Sequence, residues 1–414
     1  MTIRKLILGA TFLGMAASSS VFGQDSDQQN AWTSEILGTA ASRSLMTSGH
    51  TDSDGFFLTD GDGDFTLRVN GQLQFRYVAN FTNSDNDYQY GEARSSALVD
   101  NPDYTGGFET RRTKFGFSGN VKSFDYKIVT AFDADGEFSL QDAWVAHDLD
   151  GMNVRFGQFK LPFMREENVS SGKQLAAERS VVNEIFNQDR SQGVQLTLGG
   201  DDALRFVVAF SDGFDTDNTE YDSSRESDYA FTGRVDFLQS GNWGQFEDFS
   251  SQRGDDFGLL IGGAAHYQEG GETGGTEDAQ LFTYTADVSV DSNGLSLFAS
   301  GVWRLEEEFG EKFEDYGLVG QAGFMLTDTD EIFGRWDSVY VDEDRGFMRD
   351  DYSFLTVGYN KYFYGHAAKF TLDAVMPLND VDGLDSMTGF SGMGMMSNME
   401  EGEVALRGQF QLLF

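Results

Sequence analysis

Apolar and polar side chains alternate along most of this chain, and the segment 65–81 shows the pattern most clearly. Its odd positions run from Phe65 to Phe81 and are apolar or aromatic apart from one glycine, whereas its even positions are polar apart from Val78. Such alternation predicts a β-strand with one apolar and one polar face. The segment is longer than the usual soluble strand of about five or six residues, and it suits a tilted strand that crosses a bilayer.

Fifteen further segments repeat the pattern, so the sequence predicts sixteen strands. They are residues 112–122, 124–133, 138–148, 152–160, 192–198, 204–212, 228–237, 256–268, 281–290, 295–304, 315–325, 331–340, 353–363, 366–375 and 403–414. An even number is typical of a single-chain bacterial barrel, because both chain ends then lie on the periplasmic side. The predicted fold class is therefore all-β: a transmembrane antiparallel β-barrel of about sixteen strands over residues 65–414.

The end of the chain supports this prediction. Residues 404–414 alternate up to a terminal aromatic residue, Phe414. Soluble sheets avoid such a bare apolar edge, whereas in a barrel the same strand closes the ring between lipid and lumen. The terminal aromatic strand also resembles the insertion signal of bacterial barrels, so we expect two partners: outer-membrane lipid and, through Phe414, the barrel-assembly machinery.

The beginning of the chain indicates export. Residues 1–23 read as a secretory signal peptide, with Arg4 and Lys5 before an apolar stretch and small residues before Gln24. The segment 24–64 is polar and acidic, and we interpret it as a periplasmic tail. The chain has no cysteine, which excludes disulfide bonds, cysteine nucleophiles and thiolate metal sites.

The charge of the chain is unevenly distributed. The formal net charge is -39, yet the predicted strands are close to neutral and the excess acid lies in the loops, turns and tail. The acidic loops either keep the rim of the barrel solvated or bind divalent cations, and the scattered acids favour solvation. So strong a negative charge argues against nucleic acid as a partner.

Basic residues on the polar faces of the strands are candidates for the pore lining. One interpretation is a ladder that guides anions through the lumen, and the other is a wall of balanced ion pairs. The sequence leaves both open. The candidate residues are Arg68, Arg76, Arg112, Lys114 and Arg407 on strands, and Arg165, Lys173, Arg179 and Arg190 in the interruption that follows the fifth strand.

That interruption, Leu161 to Arg190, is about thirty residues long, and a loop of this length needs a function. We expect it to fold inward and narrow the channel. The sequence here resembles the phosphate-selective porin O and P family. The resemblance rests on residues 157–163 (GQFKLPF), 178–180 (ERS) and 189–196 (DRSQGVQL), with weaker likeness in 108–117, 356–362 and 369–373.

The resemblance implies a sixteen-stranded homotrimeric porin of the outer membrane that passes small anions such as phosphate by diffusion. Phosphate-specific members gather lysines at the constriction, whereas this loop has Lys173 as its one lysine and four basic residues against five acidic ones. Two alternatives stay open: a plugged barrel that anchors the envelope, and an outer-membrane barrel hydrolase. The four histidines are scattered and Asp60 to Asp64 departs from the EF-hand pattern, so we expect no metal or other cofactor and no enzyme activity.

Overall fold

The computed structural model describes residues 56–60, 62–82, 104–132, 136–200, 203–270, 279–308, 310–347 and 349–414. Sixteen antiparallel strands close into a barrel, as predicted, and a short additional strand, β1 (Phe56–Thr59), precedes them. The predicted signal peptide and residues 24–55 of the predicted tail lie outside the described residues.

The barrel strands are β2 (Phe65–Phe81), β3 (Tyr104–Val121), β4 (Phe124–Phe132), β5 (Phe138–Asp148), β6 (Met152–Lys160), β7 (Arg190–Gly199), β8 (Leu204–Ser211), β9 (Tyr229–Ser240), β10 (Gly258–Glu269), β11 (Gln280–Ser292), β12 (Leu295–Glu308), β13 (Glu311–Met325), β14 (Asp330–Tyr340), β15 (Asp351–Tyr364), β16 (Ala368–Pro377) and β17 (Val404–Leu413).

The strand boundaries agree closely with the alternation, with one large difference. Strand β3 begins at Tyr104, eight residues before the predicted start at position 112. The alternation fails there because the pairing of β2 with β3 shifts register between Gln74 and Phe75, where Arg111 is an extra residue. A β-bulge of this kind reverses the facing of the residues beyond it, so a strict period of two loses the strand.

The barrel closes between its last and first strands. Strand β17 pairs with β2 from Val404↔Phe81 to Leu413↔Gln72, and Phe414 exchanges backbone hydrogen bonds with Gly71. A Cβ atom on Gly71 would lie 2.5 Å from the Phe414 ring. Glycine is therefore needed where the terminal aromatic ring packs closely on the neighbouring strand.

Strand β1 lies within the segment that the sequence analysis assigned to the tail. It pairs with β2 from Phe56↔Val69 to Thr59↔Thr66, directly beyond the position where Phe414 ends β17. Since β2 is longer than β17, β1 covers a stretch of β2 edge that would otherwise be unpaired. The alternation did not indicate this strand because it has only four residues.

The two faces of the wall differ as the alternation predicts. Phe115, Phe117, Phe282, Tyr284, Phe410 and Leu412 are exposed on the outer surface. Arg76, Asp287 and Arg407 are buried inside, and Lys114 lines an internal cavity. An outer surface that is apolar with aromatic rings, such as the stacked Trp303 and Tyr316 at 4.8 Å between centroids, suits contact with lipid.

Connections between strands differ in length at the two ends of the barrel. At the end that carries Phe65 and Phe414, the terminal end, most turns are short, and Asn293 and Gly294 form a two-residue hairpin in which both have positive φ. The opposite end, the far end, carries most of the longer connections. The exception is the turn 241–257, which is long although it lies at the terminal end. Among the described residues, no helix has the length and apolar character needed to span a membrane.

Candidate functional site

The long connection between β6 and β7, residues 161–189, folds into the lumen after the fifth barrel strand, as predicted. It contains two short helices, α1 (Arg165–Asn168) and α2 (Val181–Phe186). The Ser180 hydroxyl caps α2 by accepting a hydrogen bond from the Asn183 amide at 3.0 Å. Almost all of this lumen loop is buried, which shows that it packs against the wall along most of its length.

One side of the lumen is filled by apolar packing. Val182 and Phe186 of the lumen loop contact a buried cluster that also contains Val319 and Phe354 of the wall. The connection between β16 and β17 adds Phe390, at the start of helix α3 (Phe390–Met393), to the same cluster. This apolar packing fixes the loop against strands β12–β17 and leaves the lumen beside β2–β10 for solvent.

The loop is also fixed by a carboxylate enclosed by three guanidinium groups. Glu178 accepts hydrogen bonds from Arg76 at 2.6 Å, Arg111 at 2.7 Å and Arg112 at 2.6 Å. Its side chain is 1 % exposed. These three charge-assisted contacts hold the pKa of the Glu178 carboxyl well below its usual range, despite burial that opposes ionisation.

Arg111 was missed by the sequence analysis. Strict alternation places it on the opposite face from Arg112, but the bulge in β3 allows both side chains to reach Glu178. The Phe108–Arg112 motif contains the pair of arginines, yet the sequence carries no sign of the register shift. A bulge is a property of the pairing between two strands, so one strand read alone does not reveal it.

A second anchor of the loop involves Arg179, the residue directly after Glu178. Arg179 pairs with Glu167 at 3.3 Å, and Glu167 also pairs with Lys160 at the end of β6. The pKa of the Glu167 carboxyl falls to about 2 because its two cationic neighbours outweigh the cost of burial. Arg335 of the wall donates to the backbone carbonyl of Glu178 at 2.9 Å.

Two neighbouring cavities open beside this fixed loop. The larger has a volume of about 540 Å³ and lies against strands β6–β10. The other has a volume of about 410 Å³ and lies against β2–β7. Lys160, Asn168 and Ser170 line both cavities, so the two spaces meet beside these residues.

The charged residues that line the two cavities are mostly basic. Nine basic side chains contribute to the lining: Lys114, Lys127, Arg155, Lys160, Arg165, Lys173, Arg190, Arg205 and Arg234. The two acidic residues of the lining are Asp236 and Glu247, both in the larger cavity. Asp142, which pairs with Lys127 and Arg190 at 3.1 and 2.9 Å, lies behind its partners and does not line either space.

The nine candidate residues from the sequence fall into three groups in the structure. Arg165, Lys173, Lys114 and Arg190 line the cavities. Arg76, Arg112, Arg179 and Arg407 are held in ion pairs, the last with Asp373 at 2.8 Å. Arg68 is exposed near the terminal end, against the Phe57 ring of β1. Both interpretations of the basic residues therefore describe part of the lumen, and the role of each residue toward a solute stays a prediction.

Five lining residues were absent from the predicted set: Lys127, Arg155, Lys160, Arg205 and Arg234. The sequence did contain a signal for Lys127, Arg205 and Arg234, which lie on the polar faces of their strands. Which inward-facing residues line a cavity depends on which strands the loop leaves uncovered, and this is a long-range property of the fold. No group of acidic and histidine side chains suited to a metal ion occurs in the described part of the chain.

The sequence profile of the phosphate-selective porin O and P family matches residues 75–334. The chain belongs to this family. No curated protein matches the sequence significantly.

Solved structures share the fold at low identity. An anion-selective porin from Comamonas acidovorans superposes with a TM-score of 0.56 at 11% identity, covering 84% of this chain and 100% of that one. Salmonella typhi OmpF, in complex with daunomycin, superposes with a TM-score of 0.55 at 13% identity, covering 87% of this chain and 100% of that one. The trimer form of OmpT from Vibrio cholerae superposes with a TM-score of 0.55 at 10% identity, covering 84% of this chain and 99% of that one.

Family and fold together locate the protein in the outer membrane. They indicate a channel for small solutes rather than an enzyme. The terminal end of the barrel, with its short turns, then corresponds to the periplasmic side in such porins.

Proposed function

We propose that this protein is a diffusion porin with a preference for small anions, phosphate among them. The observation that carries the proposal is the lining of the two cavities, where nine basic residues stand against two acidic ones. Fixed positive charge on a narrow aqueous path favours anions. The excess acid of the chain lies outside the strands, and charges more than about 8 Å away are largely screened at physiological salt.

The lysines of the wall support phosphate as one of the solutes. Although the loop itself carries few basic residues, Lys114, Lys127 and Lys160 converge from three strands on the smaller cavity. Lys127 pairs with Asp142 and Lys160 with Glu167. Among the contacts of the described residues, Lys114 has no acidic partner, so its ammonium group is available to a solute. The similarity to an anion-selective porin from Comamonas acidovorans is consistent with this preference.

The assembly of the channel is part of the proposal. A homotrimer agrees with the family and with the trimer form of the similar OmpT structure. Insertion through the barrel-assembly machinery agrees with the position of Phe414, which is 56% exposed at the closing strand. Residues 1–23 as a signal peptide and 24–55 as a periplasmic tail complete the proposed organisation.

A plugged, structural barrel is the second candidate, and the apolar packing of the lumen loop favours it. Val182 and Phe186 join a cluster that continues through the wall and the connection before β17. A lumen sealed by this packing would conduct no ions. The cavities of about 540 and 410 Å³ beside the cluster favour the open channel instead.

Planar-bilayer recording tests the proposal. In a potassium chloride gradient we expect a reversal potential on the anion-selective side, and reduction of the chloride current by added phosphate. Lys114→Gln should reduce the anion-to-cation permeability ratio by about twofold, the effect of one charge at about one Debye length in water. Lys122→Gln, in the exposed turn after the same strand, is the matched control and should change little.

Two results would overturn the proposal. Cation selectivity of the unmodified channel would mean that the acidic loops dominate. The absence of any conductance from correctly folded barrel would favour the plugged alternative.

A further inference from the structure

The turn 241–257 enters the lumen from the terminal end and meets the lumen loop. Phe246 and Phe249 anchor it, since both rings are buried and Phe249 packs on Phe298 of the wall with centroids 4.8 Å apart. Arg165 of the lumen loop lies against both rings and donates a hydrogen bond to the Phe246 carbonyl oxygen at 2.7 Å. The turn is therefore packed inside the lumen, against the wall and the lumen loop.

The same anchors fix the position of Glu247, one of the two acidic residues that line the larger cavity. A short 3₁₀ helix, Trp243–Phe246, begins with a reciprocal capping box between Asn242 and Gln245. Glu247 follows this helix directly and lines the cavity, where its carboxylate pairs with the Lys173 ammonium group at 3.0 Å. The pair joins the turn to the lumen loop across the edge of the cavity.

The two acids of the cavity lining differ in how firmly they are held. Asp236 is 2% exposed and lies between Arg205 and Arg234, at 2.8 and 2.7 Å. Glu247 is 67% exposed and has Lys173, itself 24% exposed, as its partner. An exposed single ion pair is weak, because water and salt compete for both groups. Glu247 is thus the acid that a solute is able to replace.

We propose that Glu247 is a displaceable counter-ion that sets the affinity of the larger cavity for anions. In the empty channel its carboxylate occupies Lys173. An entering oxyanion, such as phosphate or a carboxylate, takes its place on the ammonium group, and the Glu247 side chain turns toward water. This inference rests on the proposed anion channel and adds to it a residue that determines specificity.

The test compares variants in planar bilayers, with inorganic phosphate as the probe of binding. Glu247→Gln should raise the anion-to-cation permeability ratio by about twofold, because it removes one negative charge within about a Debye length of the path. It should also lower the phosphate concentration that halves the chloride current. Glu307→Gln is the matched control, since Glu307 forms a similar exposed ion pair with Lys312 at 2.9 Å but lies outside the cavities.

Two further variants separate displacement from a general effect of charge. Glu247→Asp keeps the charge but shortens the side chain away from Lys173, so displacement predicts tighter phosphate binding with nearly unchanged ion selectivity. In a Lys173→Gln background, Glu247→Gln should no longer alter the phosphate concentration that halves the chloride current. Heat-modifiable mobility on a gel confirms that each variant is folded, and Glu247→Asp provides the test should the glutamine variant fail to fold.

The outcomes distinguish this inference from the proposed function. Anion selectivity with identical phosphate responses in Glu247→Gln, Glu247→Asp and Glu307→Gln would refute the counter-ion while leaving the anion channel intact. An equal phosphate effect of Glu247→Gln with and without Lys173 would also refute it, because a long-range field would then be the cause. A cation-selective unmodified channel would refute the proposed function itself.

Discussion

Removal of the Glu178 charge should release the lumen loop from the wall. The carboxylate receives hydrogen bonds from Arg76, Arg111 and Arg112, and its side chain is 1% exposed. The Glu178→Gln substitution preserves the volume of the side chain. Among the described residues it leaves Glu109, which pairs with Arg76, as the remaining acid in contact with the three guanidinium groups. Breaking a buried ion pair by removing one partner costs about 3–5 kcal/mol, since the remaining charges are uncompensated.

Labelling of a single buried cysteine measures this cost. The natural chain has no cysteine, so Ala176→Cys, at a loop position that is 3% exposed, introduces a unique thiol. Its reaction with a water-soluble reagent requires the loop to open, and the rate follows the free energy of opening. A loss of about 3–5 kcal/mol raises the labelling rate by roughly two to four orders of magnitude.

The control for this experiment is Glu307→Gln in the same cysteine background. Glu307 and Lys312 are exposed, and a pair of this kind contributes about 0–1 kcal/mol. We expect its labelling rate to stay close to that of the parent. Equal rates in the Glu178 and Glu307 variants would show that the three arginines do not hold the loop, and the apolar packing would then be its main anchor.

Three further predictions concern the wall, the chain end and pH. Cysteine at Lys114 should react with a water-soluble thiol reagent in intact membranes and cysteine at Phe117 should not; the reverse would contradict the facing of β3. Deletion of Phe414 should abolish the heat-modifiable folded form, and normal amounts of folded barrel would remove its role in insertion. Burial and the neighbouring Glu178 raise the pKa of Glu184 to about 7, so ionisation between pH 6 and 8 adds negative charge to the lumen. The anion-to-cation permeability ratio should therefore fall over this range in the natural channel and fall less steeply in Glu184→Gln.

The barrel wall could be predicted because its side-chain period is fixed by the backbone. Every strand of such a wall places alternate residues on lipid and on the lumen, so sixteen segments carry the same signal independently. The failures occur where that local rule does not apply. Arg111 is the extra residue of a bulge between two strands, and β1 is four residues long.

The candidate site was less predictable because its properties depend on contacts between distant segments. Arg76 and Glu178 are 102 residues apart in the chain, and Lys173 and Glu247 are 74 apart. Alternation places Arg76, Arg112 and Arg407 on the inner face of the wall, where they form ion pairs, but inward facing does not distinguish a residue that meets solutes from one that holds the loop. Trp243, Phe246 and Phe249 gave no alternation, so the turn that enters the lumen had no signature.

The division of the lumen explains how one loop is attached to the wall and also leaves a basic lining in the cavities. Its apolar residues pack on strands β12–β17, and its acids Glu167 and Glu178 neutralise the nearest cations, Lys160 and the arginines of β2 and β3. Acids used in this way are buried and do not oppose anions in the cavities. The basic residues that remain in the lining, Lys114 among them, then act on solutes with less opposition than the four basic and five acidic residues of the loop suggest. A loop with more acidic than basic residues is thus compatible with an anion path, because its acidic side chains form ion pairs that attach the loop to the wall.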